Sequence, residues 1–443
     1  METIKENKVL TFAEKLITET TNSIFLTGKA GTGKSTFLRK IAIECEKQLV
    51  VLAPTGIAAI NAKGQTIHSF FKVPFGPLQP SDARLRKIKF KPDHLATIEN
   101  LELLIIDEIS MVRADLLDAI DFLLRKFKKI AKPFGGIQVL LVGDLFQLEP
   151  VLPRDEKVFI ENFYRTPYFF SAWVFNEMDI VNLELQEIYR QTDPHFIGLL
   201  NKIRSKKASY DDLIQLNNRP SKQMLADKSF YITLCTTRSR AKMINDEKLK
   251  ELTEEEFVFQ GEIKDKFPIN NLPTDLELKL KKGAQVIFIQ NDYSGEKKYV
   301  NGTIGKIESL DNETIKVALD NGKTVVVEQT FWENLEYKFN SENNKIEDTI
   351  IGTFTQYPLK LAWAITIHKS QGLTFENVKI DLDRGAFAAG QLYVALSRCT
   401  SFEGIILSTK IRQSDIIVRQ EVIDYYTKMN DKTQLLNAIN SRN

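Results

Sequence analysis

Short, uninterrupted apolar runs recur along this chain, and each ends in glycine, hydroxyl or acidic residues. In the first 150 positions they fall at 23–27, 49–53, 101–106 and 137–142. Runs without polar alternation predict strands buried on both faces, as in the interior of a parallel sheet. Residues 36–41 read as the first turns of a helix. A second series at 230–235, 378–382 and 404–408, with a helical pattern over 390–398, predicts another parallel core. Between the two, the rhythm changes. Short strands are expected at 284–289, 302–307, 314–319 and 323–328, and Asp320-Asn321-Gly322 is a hairpin signal. The expected division is a first α/β core over 1–183, a second core in two pieces (184–278 and 347–443), and a small barrel inserted at 279–346.

Composition adds few constraints. A chain of 443 residues exceeds one ordinary core. With 43% apolar and 27% charged residues it is globular rather than disordered. No apolar run approaches the roughly 20 residues that span a bilayer, and residues 1–8 carry no leader pattern. Cys45, Cys235 and Cys399 are far apart without metal-ligand spacing, so a reducing, intracellular (cytoplasmic) setting is expected. Net charge is only +2, so nucleic-acid binding has to be argued from local features. The basic stretch 84–91 reads as a solvated face.

The chemistry begins at Gly28-Lys29-Ala30-Gly31-Thr32-Gly33-Lys34-Ser35, a complete phosphate loop between a strand and a helix. Its backbone N–H groups (Gly31, Thr32, Gly33, Thr36) would cradle phosphates at a helix N-terminus. Lys34 would reach the terminal phosphates and Ser35 would ligate magnesium. The run at 101–106 ends in Asp107-Glu108, at the strand end where ligands sit in open α/β sheets. Asp107 would help hold the magnesium, and Glu108 would deprotonate the attacking water. Gln147, after the next strand, is placed to touch the γ-phosphate. Arg190 and Arg398 lie outside the first core; each is either a surface arginine or a group that neutralises charge on the transferred phosphoryl.

In order along the chain, these blocks resemble the petite integration frequency (Pif) helicases, a branch of superfamily 1B with RecD-like and Dda-like relatives. The resemblance runs through Ala53-Pro54-Thr55-Gly56, Thr66-Ile67-His68-Ser69, Ile106-Asp107-Glu108, Gly143-Asp144-Leu145-Phe146-Gln147, Tyr189-Arg190-Gln191 and Thr236-Thr237-Arg238. It closes with Thr366-Ile367-His368-Lys369-Ser370-Gln371-Gly372 and Tyr393-Val394-Ala395-Leu396-Ser397-Arg398. It implies two RecA-like cores, a wedge insertion at about 66–80 and a Src-homology-3-like barrel in the second core. It assigns Gln147 as phosphate sensor, Arg190 and Arg398 as the second core's arginines, and places Gly372 near the phosphates. Two departures stand out. Glu149 occupies a position where the family usually carries proline, and no glutamine precedes Gln48 to read adenine.

For nucleic acid, hydroxyls and backbone donors would hold phosphates and aromatic faces would stack on bases. The candidates are Pro54, Thr55, Thr66, His68, Ser69, Phe71 and Phe75 on the first core. On the second they are Thr236, Thr237, Arg238, Asn245, Thr366, His368 and Lys369. Phe71 to Phe75, among Pro74, Gly76 and Pro77, would form the wedge. The expected activity is ATP- and magnesium-dependent unwinding of DNA from single-stranded tails and junctions, 5′ to 3′ by the resemblance, by a monomer, with G-quadruplexes a further family substrate. A protein-displacing translocase, a nucleotide-gated DNA clamp and an RNA helicase are the alternatives.

Overall fold

A computed structural model describes residues 7–79, 82–218, 230–292 and 298–429. The first core is a six-stranded, wholly parallel sheet built from β1 (Ser23–Gly28), β2 (Leu49–Ala53), β3 (Gln65–Thr66), β4 (Leu103–Ile106), β5 (Gln138–Gly143) and β6 (Ile180–Leu185). The spatial order is β3-β2-β4-β5-β1-β6. Both faces are covered, which is why these strands carry continuous apolar runs. Phe25, Leu104, Ile106 and Leu141 face one layer with helix Ala114–Lys128, while Ile24, Leu26, Ile105 and Val142 face the helices Lys8–Glu19 and Lys34–Glu44. The chain turns to opposite sides of β1, so the carboxyl ends of β1, β4 and β5 open onto one crevice.

The second core is a four-stranded parallel sheet, ordered Ala364–Thr366, Ile232–Cys235, Val378–Asp381, Ile405–Leu407. Helix Gln391–Leu396 connects Val378–Asp381 to the edge strand Ile405–Leu407 and is buried along its whole length. The final described helix, Gln420–Met429, crosses back: Val422 and Met429 are buried in the first core's hydrophobic cluster, and the Tyr425 ring stacks on Phe170 at 4.5 Å.

Antiparallel strands begin at Glu256 and end at Leu361, a wider interruption than 279–346. Five of them, in the order Thr324–Val327, Ile315–Leu319, Ile304–Leu310, Gln285–Phe288, Leu359–Leu361, form one sheet, with the hairpin at Asp320-Asn321-Gly322 joining its first two. A long hairpin, Thr330–Asn340 with Lys345–Gln356, pairs with Glu262–Asp265 and reaches the first core. There the Val51 N–H donates to the Tyr337 hydroxyl (3.2 Å), and the Gln65 amide donates to the Leu335 carbonyl.

Candidate nucleotide and nucleic-acid site

The phosphate loop turns directly from β1 into helix Lys34–Glu44. Gly33 caps that helix in the left-handed region (φ 87°) with no side chain bonded to the first-turn N–H groups, leaving a ready anion site. Thr32 is buried, its hydroxyl tied to the Lys29 carbonyl (2.9 Å). Lys34 is half-buried. Its ammonium donates to the carbonyls of Gly28 (2.6 Å) and Lys29 (2.9 Å), and burial lowers its pKa against the raising pull of Asp144, Glu108 and Asp107. Ser35, in the first helical turn, lines the crevice with Asp107, Glu108 and Gly372.

Asp107 and Glu108 leave the end of β4 together. Glu108 has φ 50°, a left-handed backbone uncommon outside glycine, and its N–H is held by Asp107 Oδ1 (2.8 Å). Burial, with the Asp107 carboxylate second, pushes the Glu108 carboxyl up to about 7. Burial also raises Asp107. Among the described residues no cluster of three His, Cys, Asp or Glu could hold a metal by itself. The Ser35 hydroxyl and the Asp107 carboxylate nevertheless fit magnesium, whose remaining ligands are ordinarily phosphate oxygens and water.

The second core completes this site. The Tyr393 hydroxyl accepts the Ala30 N–H of the phosphate loop (3.1 Å), and the Tyr189 N–H donates to the Gly31 carbonyl (2.8 Å). A Cβ on Gly31 would collide with Arg190, so that arginine lies against the loop. Its Nη1 donates to the Ser397 carbonyl (3.2 Å). Arg398 is fully buried, and its guanidinium bonds run to neutral oxygens: the carbonyls of Val394 (3.0 Å), Ser370 and Leu373 and the Ser397 hydroxyl (3.0 Å). Burial, then Arg190, bring its pKa down to about 9, still cationic at neutral pH. A buried cation bonded only to neutral oxygens is costly, and an incoming phosphate relieves that cost. Gln147 is buried, and a Cβ on Gly390 would strike its carbonyl, so the loop carrying Gln147 touches, backbone to backbone, the start of helix Gln391–Leu396.

Two interlobe contacts gave no sequence signal. Asp144 and Arg204 form a buried ion pair (2.9 Å), with the guanidinium 4.1 Å from the Phe146 ring centroid. Glu149, the off-pattern acid, accepts from Arg419 (2.9 and 3.0 Å), the Ala389 N–H (2.9 Å) and the Tyr168 hydroxyl (3.3 Å).

A cleft of about 1780 Å³ joins the nucleotide crevice to half of the expected nucleic-acid residues. Thr55, Thr236, Thr237, Arg238, Thr366, His368 and Lys369 all line it. Thr55 and Thr237 cap helices, accepting from the Ala58 and Arg240 N–H groups, and the Thr366 hydroxyl accepts the Lys369 N–H. Burial brings Lys369 down to about 8. Pro54 follows β2 half-buried, and Thr66 caps the short helix Ile67–Phe71 that carries His68 and Ser69; none of these four lines the cleft. Beside that helix Phe75 is 82% exposed, its ring stacked on His68 at 4.7 Å.

Two expected contacts are corrected. Phe71 is fully buried, edge-on to Phe70 at 4.9 Å, and belongs to the first core's packing rather than to its surface. Both ends of the Asn245 amide are spent on the Ala364 backbone (2.8 Å each), so it braces a strand end.

Residues 3–212 match the family model described as PIF1-like helicase. Among curated proteins, the chain is 31% identical to an ATP-dependent DNA helicase Pif1 of Campylobacter jejuni over 92% of this chain and 95% of that one. It is 32% identical to zebrafish (Danio rerio) ATP-dependent DNA helicase PIF1 over 97% of this chain and 66% of that one; the chain thus spans less than two thirds of that relative's length. A Bacteroides Pif1 structure with ADP-AlF4 is 41% identical, with TM-score 0.89 over 97% of this chain and 98% of that one. A Bacteroides Pif1 bound to single-stranded DNA is 42% identical over the same shares, with TM-score 0.70.

Proposed function

Because the chain belongs to the PIF1-like helicase family, we propose that it is an ATP-dependent DNA helicase that moves 5′ to 3′ on single strands and opens the duplex ahead. One observation carries this reading most directly. The phosphate loop of the first core is bonded to Tyr393 of the second and abuts Arg190, so nucleotide occupancy and the relative position of the lobes are one variable.

In this reading the loop N–H groups and Lys34 bind the β- and γ-phosphates. Bound magnesium, held from Ser35 and Asp107, would offset phosphate charge. Glu108, with a pKa near neutrality, accepts the proton of the attacking water. Arg190 and Arg398 bring positive charge to the transferred phosphoryl, and Gln147 and Gly372 are read as the groups that report its loss. The hydroxyls, backbone and cations of Pro54, Thr55, Thr66, Ser69, Thr236, Thr237, Arg238, Thr366, His368 and Lys369 hold the strand by its phosphates, and Phe75 on His68 forms the wedge. The five-stranded antiparallel sheet is read as a barrel that supports the DNA near the junction. The protein acts as a monomer, and G-quadruplexes fall within its substrate range.

The test is strand separation on duplexes bearing a 5′ or a 3′ tail, with Lys34→Ala as control. Unwinding from the 5′ tail alone, abolished in a folded Lys34→Ala protein, is expected. ATP hydrolysis without strand separation from either tail would favour the translocase.

A further inference from the structure

The loop 386–390 is unusually well fixed for a surface segment. Five consecutive backbone N–H groups are bonded: Ala386 to Asp415 Oδ1 (3.1 Å), Phe387 and Ala388 to Gln391 Oε1 (3.0 and 3.3 Å), Ala389 to Glu149 Oε1 (2.9 Å), and Gly390 to the Ile417 carbonyl (3.1 Å). Gln391 and Asp415 are themselves buried. The loop nevertheless turns a bare phenyl ring outward. Phe387 is 61% exposed and packs into none of the hydrophobic cores among the described residues. It lines the same cleft as Thr55, Thr237 and Lys369.

An exposed aromatic on a mobile loop is ordinary; one on a backbone held at every N–H is a preorganised face. Beside the half-buried His368 imidazole, the cleft's other candidate contacts are hydroxyls, cations and backbone, which suit phosphates. A flat apolar ring beside them suits the other half of a nucleotide. We propose that Phe387 is a base-stacking platform for single-stranded DNA in the interlobe cleft, and that Glu149, by holding the Ala389 N–H, is a positioning residue for it. The inference rests on the helicase reading and adds a base contact to it. It also gives Glu149 a purpose: an acid facing nucleic acid would repel phosphates, but here its charge is taken up by Arg419 and a backbone N–H.

The test compares equilibrium binding of the full chain to two oligonucleotides of equal length, one of thymidines and one of abasic residues, with wild type, Phe387→Ala, Phe387→Trp and Glu149→Gln. Folding of each variant is checked by thermal melting. Base–aromatic stacking predicts a loss of roughly 5- to 150-fold for Phe387→Ala on the thymidine strand. Little loss is expected on the abasic strand, and Phe387→Trp should retain affinity. The salt dependence should not change, because no phosphate contact is removed. Glu149→Gln should show a smaller loss of the same base-dependent kind. Equal losses on both strands, or no loss with Phe387→Ala, would overturn the stacking assignment while leaving the helicase reading intact. Failure of the wild type to bind either strand would overturn that reading and the inference with it.

Discussion

Glu108→Gln should remove hydrolysis and, away from nucleotide, make the protein more stable. The carboxyl is buried beside Asp107, which raises its pKa from 4.5 to about 7. A raised carboxyl pKa means that the folded state binds the proton more tightly than the unfolded chain, so stability falls as pH climbs from 4.5 through 7. At about 1.36 kcal/mol per pH unit, that gap costs about 3 kcal/mol once pH exceeds 7 and under about 1 kcal/mol at pH 5. Glutamine has the same shape and no charge to desolvate, so the variant escapes the cost. For a lobe of this size, roughly 2–4 °C per kcal/mol predicts a rise of about 6–12 °C in its thermal midpoint at pH 8, shrinking to a few degrees at pH 5. Differential scanning calorimetry of both proteins across pH 5–8, without nucleotide or magnesium, reads this directly. A variant no more stable at pH 8 than wild type, or a difference that does not narrow toward pH 5, would refute the account of how this carboxylate is made basic.

Arg398→Ala and Arg190→Ala should each lower turnover by roughly 10³-fold, with nucleotide affinity far less affected; comparing kcat with Kd for a non-hydrolysable analogue separates the two. Arg204→Met leaves Asp144 charged and buried, and should cost about 3–5 kcal/mol, seen as a lowered thermal midpoint, with much of it recovered by adding Asp144→Asn. Tyr393→Phe strands the Ala30 N–H at the lobe junction and should cost about 1–3 kcal/mol in the same measurement.

The parallel strands were legible because burial on both faces leaves a run of apolar residues that needs no partner to be recognised, and the candidate acids Asp107 and Glu108 because they follow such a run. The hairpin from Thr330 to Gln356 was not. A bulge between Asn334 and Leu335 breaks its alternation, and its buried residues Trp332, Leu335 and Tyr337 are separated by Glu333, Asn334 and Glu336. Asp144 and Arg204 are sixty positions apart on different lobes, and neither belongs to a periodic pattern. Phe71 and Phe75 look alike in sequence. The short helix Ile67–Phe71 turns the first into the core, while Pro74 and Gly76 leave the second outside. Asn245 sits at a helical position that could face either the cleft or a strand end, and only the backbone of Ala364 decides.

Steady-state ATP hydrolysis by the purified chain, with and without single-stranded DNA, tests the central claim that one cleft joins nucleotide and strand. Turnover should be slow without the strand and strongly stimulated by it, and both should be lost in Lys34→Ala. Hydrolysis indifferent to single-stranded DNA at concentrations where the strand is bound would contradict it.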